Sequence, residues 1–160
     1  MRKLVLFLSL SFFTAGVLQA NTSEGTLKVR GTVYAMDGEG VIHKLVAKLL
    51  LPVRGEGDIV IHLHDLKHNK KKTVKALKHF VTRKNGRSVF YIVFPHEKAG
   101  EVVVMRGSYM RDSAVALYSG DIFVGELEEA ASLSPENVSA SENFRFKGSF
   151  FFKKRVESNQ

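Results

Sequence analysis

Phe144-Arg145-Phe146-Lys147-Gly148-Ser149-Phe150-Phe151-Phe152-Lys153 is the stretch that decides the fold class. Phe144, Phe146, Phe150 and Phe152 occupy alternate positions, with Gly148 in the same register, while Arg145, Lys147, Ser149 and Lys153 lie between them. A helix scatters that spacing around its circumference, whereas a strand, with a side-chain period of two, puts all four rings on one side. The reading is therefore a strand with Phe146 and Phe150 buried together.

The same alternation marks the other end of the domain. Leu27, Val29, Val33 and Ala35 interleave with Lys28, Arg30, Thr32 and Tyr34. Six further β-rich runs lie between, at 41–51, 57–65, 73–83, 88–94, 101–110 and 113–124, the last with Ser119-Gly120-Asp121 as a point of interruption. Asp37-Gly38 and Asn85-Gly86 read as two-residue hairpin turns, because Asn, Asp and Gly tolerate the positive φ such turns require. Pro52 ends one run, and Pro95 to Gly100 closes another. Strands this close in sequence must pair antiparallel, since parallel crossovers take a dozen or more residues.

Two runs, Val89 to Phe94 and Val102 to Met105, are apolar at every position and call for cover on both faces. Glu126 to Glu142 breaks the pattern: Leu127-Glu128-Glu129-Ala130-Ala131 suits a helical turn or two, and Ser134-Pro135 ends it. The expected fold is all-β: an antiparallel barrel or barrel-like sandwich of about eight strands, with one short helical or loop insertion near 126–142. The phenylalanines are read as filling its core rather than lining a ligand cavity.

Ahead of this domain, Arg2 and Lys3 precede an apolar run from Leu4 to Phe13, and Leu18-Gln19-Ala20 ends on a small residue. That is the pattern of a secretory signal peptide over residues 1–20, too short in its apolar part to span a bilayer as a helix. Residues 21–155 then form a single β domain, and 156–160 read as a frayed tail. The chain contains no cysteine. An exported domain without disulfides is held by packing alone and points to a periplasmic or secreted bacterial protein.

Charge is unevenly spread. Removing Arg2 and Lys3 with the leader lowers the net charge of +8 by two. Between residues 67 and 87 stand Lys67, Lys70, Lys71, Lys72, Lys75, Lys78, Arg83, Lys84 and Arg87 with no acid among them, whereas 126–142 holds five Glu and no base. The first run, with Lys70-Lys71-Lys72 placed on a hairpin tip, is read as a surface for an anionic lipid, a polysaccharide or an acidic protein of the cell envelope. Nucleic acid is a poor partner for an exported domain.

His62 and His64 share one face of a strand, with His68 just beyond its end, a spacing that suits a Zn²⁺ or Cu²⁺ site. Against it, Ile59, Ile61 and Leu63 make the buried face, and the neighbouring lysines repel a cation. No nucleophile elbow, phosphate-binding loop or helical two-histidine zinc motif occurs, no carboxylate pair has catalytic spacing, and no cofactor motif is present. The functional expectation is a non-enzymatic envelope domain that binds an anionic or amphipathic partner through the basic hairpin. The alternatives are a small integral outer-membrane β-barrel, whose strands also alternate, or a metal-binding protein using His62, His64 and His68.

Overall fold

A computed structural model describes residues 26–52, 57–112 and 115–155. Residues 1–20, read above as a signal peptide, and 156–160, read as a frayed tail, lie outside the described residues. Nine strands follow in order: β1 (Thr26–Met36), β2 (Ile42–Pro52), β3 (Val60–Asp65), β4 (Lys70–Lys75), β5 (Lys78–Lys84), β6 (Arg87–Pro95), β7 (Glu101–Arg111), β8 (Val115–Glu126) and β9 (Arg145–Arg155). All pair antiparallel in one sheet of order β4-β3-β2-β1-β9-β8-β7-β6-β5, curled into a half-barrel.

The two ends of that order are consecutive in the chain. The run 73–83, read above as one strand, is divided at Ala76-Leu77. Ala76 N–H donates to Ile59 O at 2.8 Å on the β3 side, and Leu77 N–H donates to Val93 O at 2.7 Å on the β6 side. Within two residues the backbone leaves one edge's partner and takes the other's. Each backbone donor must find an acceptor, and this handover satisfies both.

Turn chemistry accounts for the hairpins. Asn85 and Gly86 have φ of 52° and 75°, and Lys84 pairs with Arg87, a two-residue turn as expected. Asp37-Gly38 differs. Met36 pairs with Ile42 across a five-residue loop, Asp37 Oδ1 accepts the N–H groups of Glu39 and Val41, and the positive φ falls on Gly40. The aspartate side chain stands in for a backbone acceptor and so lengthens the turn.

The concave face carries the main core, including Val29, Leu49, Ile61, Phe90, Ile92, Met105, Tyr118, Phe150 and Phe152. Its aromatic members gather at one end, with ring centroids of 5.8 Å for Phe90–Phe150 and Phe150–Phe152 and 4.9 Å for Tyr109–Tyr118. β8 is not interrupted at Ser119-Gly120-Asp121. Gly120 pairs with Gly107 across the strands. A Cβ on Gly107 would come within 2.6 Å of the Phe150 ring and 2.9 Å of the Phe90 ring, so Gly107 makes room for these aromatics, while a Cβ on Gly120 would meet the Arg106 and Gly107 backbone.

The convex face of β5–β7 carries a second core. Phe80, Tyr91, Val93, Val102 and Val104 pack there against Ala130, Leu133 and Phe144. The insertion that covers it contains α1 (Leu127–Ala131) and a 3-10 turn, Ser139–Asn143. The two fully apolar runs thus have cover on both faces.

Phe146 is the clearest departure from the alternation. Ile122 pairs with Gly148 but Phe123 pairs with Phe146, so Lys147 is an extra residue, a β-bulge beside Gly148 at φ 148°. One added residue reverses side-chain parity. Phe150 and Phe152 remain concave and buried, whereas Phe146 is turned out to 53% exposure against Phe123. Phe144 is buried, but in the convex core.

A candidate ligand cup with a charged rim

Aromatic rings fill one end of the concave face. The other end is lined mainly by aliphatic side chains, with Phe94 among them, and leaves a cup of about 540 Å³. Val33, Leu45, Ile61, Val74, Met105 and Ile122 form much of its wall. Its mouth is polar, built from the starts of β4, β7 and β9 and from the β6–β7 loop: Lys72, His96, Glu97, Lys98, Glu101, Arg145 and Lys147.

Glu101 organises this rim. Its side chain is only 6% exposed, and Oε1 accepts from Lys98 Nζ at 2.8 Å and from Arg145 Nη2 at 2.9 Å, with His96 Nδ1 3.5 Å from Oε2. The hydrogen bond from Lys98 holds the Glu101 carboxyl below its usual range, against the opposing effect of desolvation. Lys72 Nζ bonds Glu97 at 2.7 Å and lowers that carboxyl likewise. Lys147, half-buried at the bulge, has no carboxylate within ion-pair distance among the described residues. Bulges re-aim side chains, and this one brings a lysine to the cup.

The basic run is not one surface. Lys70, Lys71 and Lys72 are not at a hairpin tip: they open β4 and pair with Asp65, His64 and Leu63. The tip, around Lys67, lies at the mouth end. Lys75 is paired with Asp58 at 2.8 Å. Lys78 has a structural task, since its Nζ donates to Ala131 O and Leu133 O at 3.1 and 2.8 Å and holds the insertion in place. Burial lowers its pKa. Arg83, Lys84 and Arg87 flank the β5–β6 turn at the end of the sheet away from the cup, because Lys78, not Lys84, pairs with Val93, the neighbour of the cup-lining Phe94. Only Lys72 of the nine lines the cup.

The histidines are likewise redistributed. Ile59 and Ile61 are buried, and Leu63 packs on the same concave core. That directs His62 and His64 outward, where His62 Nδ1 lies 2.8 Å from Thr73 Oγ1 and His64 Nε2 donates to Asn69 Oδ1 at 3.3 Å. Among the described residues, the group with ligand atoms close enough to share an ion is His43, Asp65 and His68. The sequence did not join His43 to the metal set, because twenty-odd residues and a strand pairing separate it from the others. The rim residues Lys98, Glu101, Arg145 and Lys147 were missed for the same reason, although His96-Glu97-Lys98 between Pro95 and Gly100 marked a charged loop.

Comparison of the chain with known protein families, characterised proteins and solved structures gives no match.

Proposed function

We propose that this protein is an exported, non-enzymatic binding domain whose ligand is an amphipathic anion, such as a fatty acid or an anionic lipid, with its tail in the cup and its head at the rim. One observation carries the reading: an aliphatic cavity of about 540 Å³ opens at a mouth bearing Lys72, Lys98, Arg145 and Lys147. Ligand pockets commonly span about 300–1,000 Å³ and combine apolar walls with a few directed polar groups. Burial of each methylene contributes about 0.8 kcal/mol, so the tail supplies affinity and the rim selects the head. Lys147 is the cation best able to meet an incoming anion, since Lys72, Lys98 and Arg145 each have a carboxylate partner.

Export rests on the leader pattern at residues 1–20. The outer-membrane reading is disfavoured by the convex face, where Lys28, Arg30 and Lys44 are exposed at strand positions that a lipid-facing band would fill with apolar side chains.

The test uses dansyl-undecanoate, an anionic fluorescent probe, and its neutral alcohol analogue. Wild-type protein is expected to enhance dansyl fluorescence saturably. Val74→Trp, which fills the cup from β4, abolishes the enhancement. Lys147→Gln weakens the anionic probe a few-fold, as the loss of one partly exposed charge contact does, and leaves the alcohol unchanged. Enhancement untouched by Val74→Trp in a folded variant contradicts the reading.

A further inference from the structure

The β1–β2 and β3–β4 turns meet beside the cup, and each contributes a carboxylate bonded to an imidazole. His43 Nε2–H donates to Asp37 Oδ2 at 2.8 Å, and His68 Nδ1–H donates to Asp65 Oδ2 at 2.6 Å. The two rings lie 6.3 Å apart between centroids. We propose that His43, Asp65 and His68 form a binding site for a divalent transition-metal ion, Zn²⁺ being the ion their chemistry suits best. This goes beyond the ligand cup: none of the three ligands lines it, although Asp37, which orients His43, also stands at its rim.

The geometry needs little change. One ligand atom from each of the three residues lies within 4.8 Å of the others. His68 Nδ1 and Asp65 Oδ2 share a single proton. A Zn²⁺ at about 2.0–2.2 Å from each atom, at a tetrahedral angle, would hold the pair about 3.4 Å apart. Binding therefore shifts the ring proton of His68 from Nδ1 to Nε2 by exchange with solvent, which frees the Nδ1 lone pair for the ion, and widens the pair by somewhat under about 1 Å. The third ligand is a ring nitrogen of His43. With Nε2–H committed to Asp37, the neutral ring keeps its lone pair on Nδ1.

Both carboxylates are pre-set. Asp65 Oδ1 accepts the N–H groups of Lys67 and His68 at 3.0 and 3.3 Å, which leaves Oδ2 for the ion. Asp37 Oδ1 accepts Glu39 and Val41 N–H, both at 2.9 Å, so its other oxygen is fixed against His43. A carboxylate that orients a ligating imidazole is the usual outer partner in zinc sites. The two acidic charges also offset the neighbouring Lys44, Lys67 and Lys70, whose exposed ammonium groups are free to extend into solvent. Two imidazoles and one carboxylate are a borderline donor set that suits Zn²⁺ rather than Ca²⁺ or Mg²⁺, which take oxygen. Water completes the coordination.

The experiment titrates ZnCl₂ into tag-free protein at neutral pH against a chromophoric chelator. One equivalent of Zn²⁺ per chain is expected at micromolar concentration. His43→Ala and His68→Ala should each abolish uptake, and Asp37→Asn should weaken it about tenfold, as removal of an orienting carboxylate does. His62→Ala and His64→Ala, whose rings are bonded elsewhere, should leave it unchanged. Histidine-selective long-range ¹H–¹⁵N spectra of the wild type make the outcome independent of variant folding, because Zn²⁺ should shift the His43 and His68 rings and spare His62 and His64. Absence of uptake, uptake retained in both His43→Ala and His68→Ala, or shifts centred on His62 and His64 would each overturn the site.

Discussion

Lys147 is a single inserted residue with two consequences. It brings an ammonium group to the cup mouth, and it reverses the side-chain parity of everything before it in β9. The phenylalanines on either side therefore differ in energetic weight. Phe152 is 0% exposed inside the concave core, whereas Phe146 is 53% exposed. Truncation of Phe152 to Ala is expected to cost about 3–5 kcal/mol through lost burial and the cavity left behind. The same change at Phe146 should cost under about 1 kcal/mol, since its ring is half exposed and rests on Phe123. Denaturant unfolding of the two variants checks this, and equal losses would mean that the bulge is misplaced. Sequence alternation could not locate it. Gly148 occupies the apolar register whether or not the strand bulges, and only the pairing of Ile122 with Gly148 and Phe123 with Phe146 distinguishes the cases.

Among the elements, the strands were the most legible, because burial on one face writes a period of two into β1 and β9. Val89 to Phe94 and Val102 to Met105 also announced cover on both faces, and the insertion after β8 supplies it. What could not be read was the use of Lys78. In a run of nine cations it looked like one more solvated charge, but it is directed at the carbonyl of Ala131, the last residue of α1, where a cation meets the negative end of the helix, and at that of Leu133 just beyond it. Thr82 Oγ1 adds a second tie, to Pro135 O at 3.0 Å. Lys78→Met is therefore expected to destabilise the protein by about 1–3 kcal/mol, the cost of leaving a buried hydrogen-bond partner unsatisfied. Its effect on hydrogen exchange should concentrate in residues 127–143. Faster exchange spread evenly over β1–β4 would instead show that Lys78 supports the whole sheet rather than the insertion.

At the scale of the molecule, the organising feature is a division of the concave face. Aromatic rings from β6, β8 and β9 fill one end, and aliphatic residues at the other leave a cup with a charged mouth. A cavity is a shortfall of side-chain volume summed over strands distant in sequence, so no local run reveals it. The basic segment misled for a related reason: counted along the chain it is one patch, but two successive hairpins send Lys67–Lys72 and Arg83–Arg87 to opposite ends. The acidic insertion lies on the convex face, so the mouth charges come mainly from β7, β9 and the loop after β6. The most direct measurement of the cup's purpose is calorimetric titration with straight-chain carboxylates of six to twelve carbons, kept below their aggregation concentrations. Binding into the cup predicts that affinity rises about fourfold per added methylene, the equivalent of about 0.8 kcal/mol, and levels off once the cavity is filled. Affinity that is absent, or that does not depend on chain length, would contradict the account.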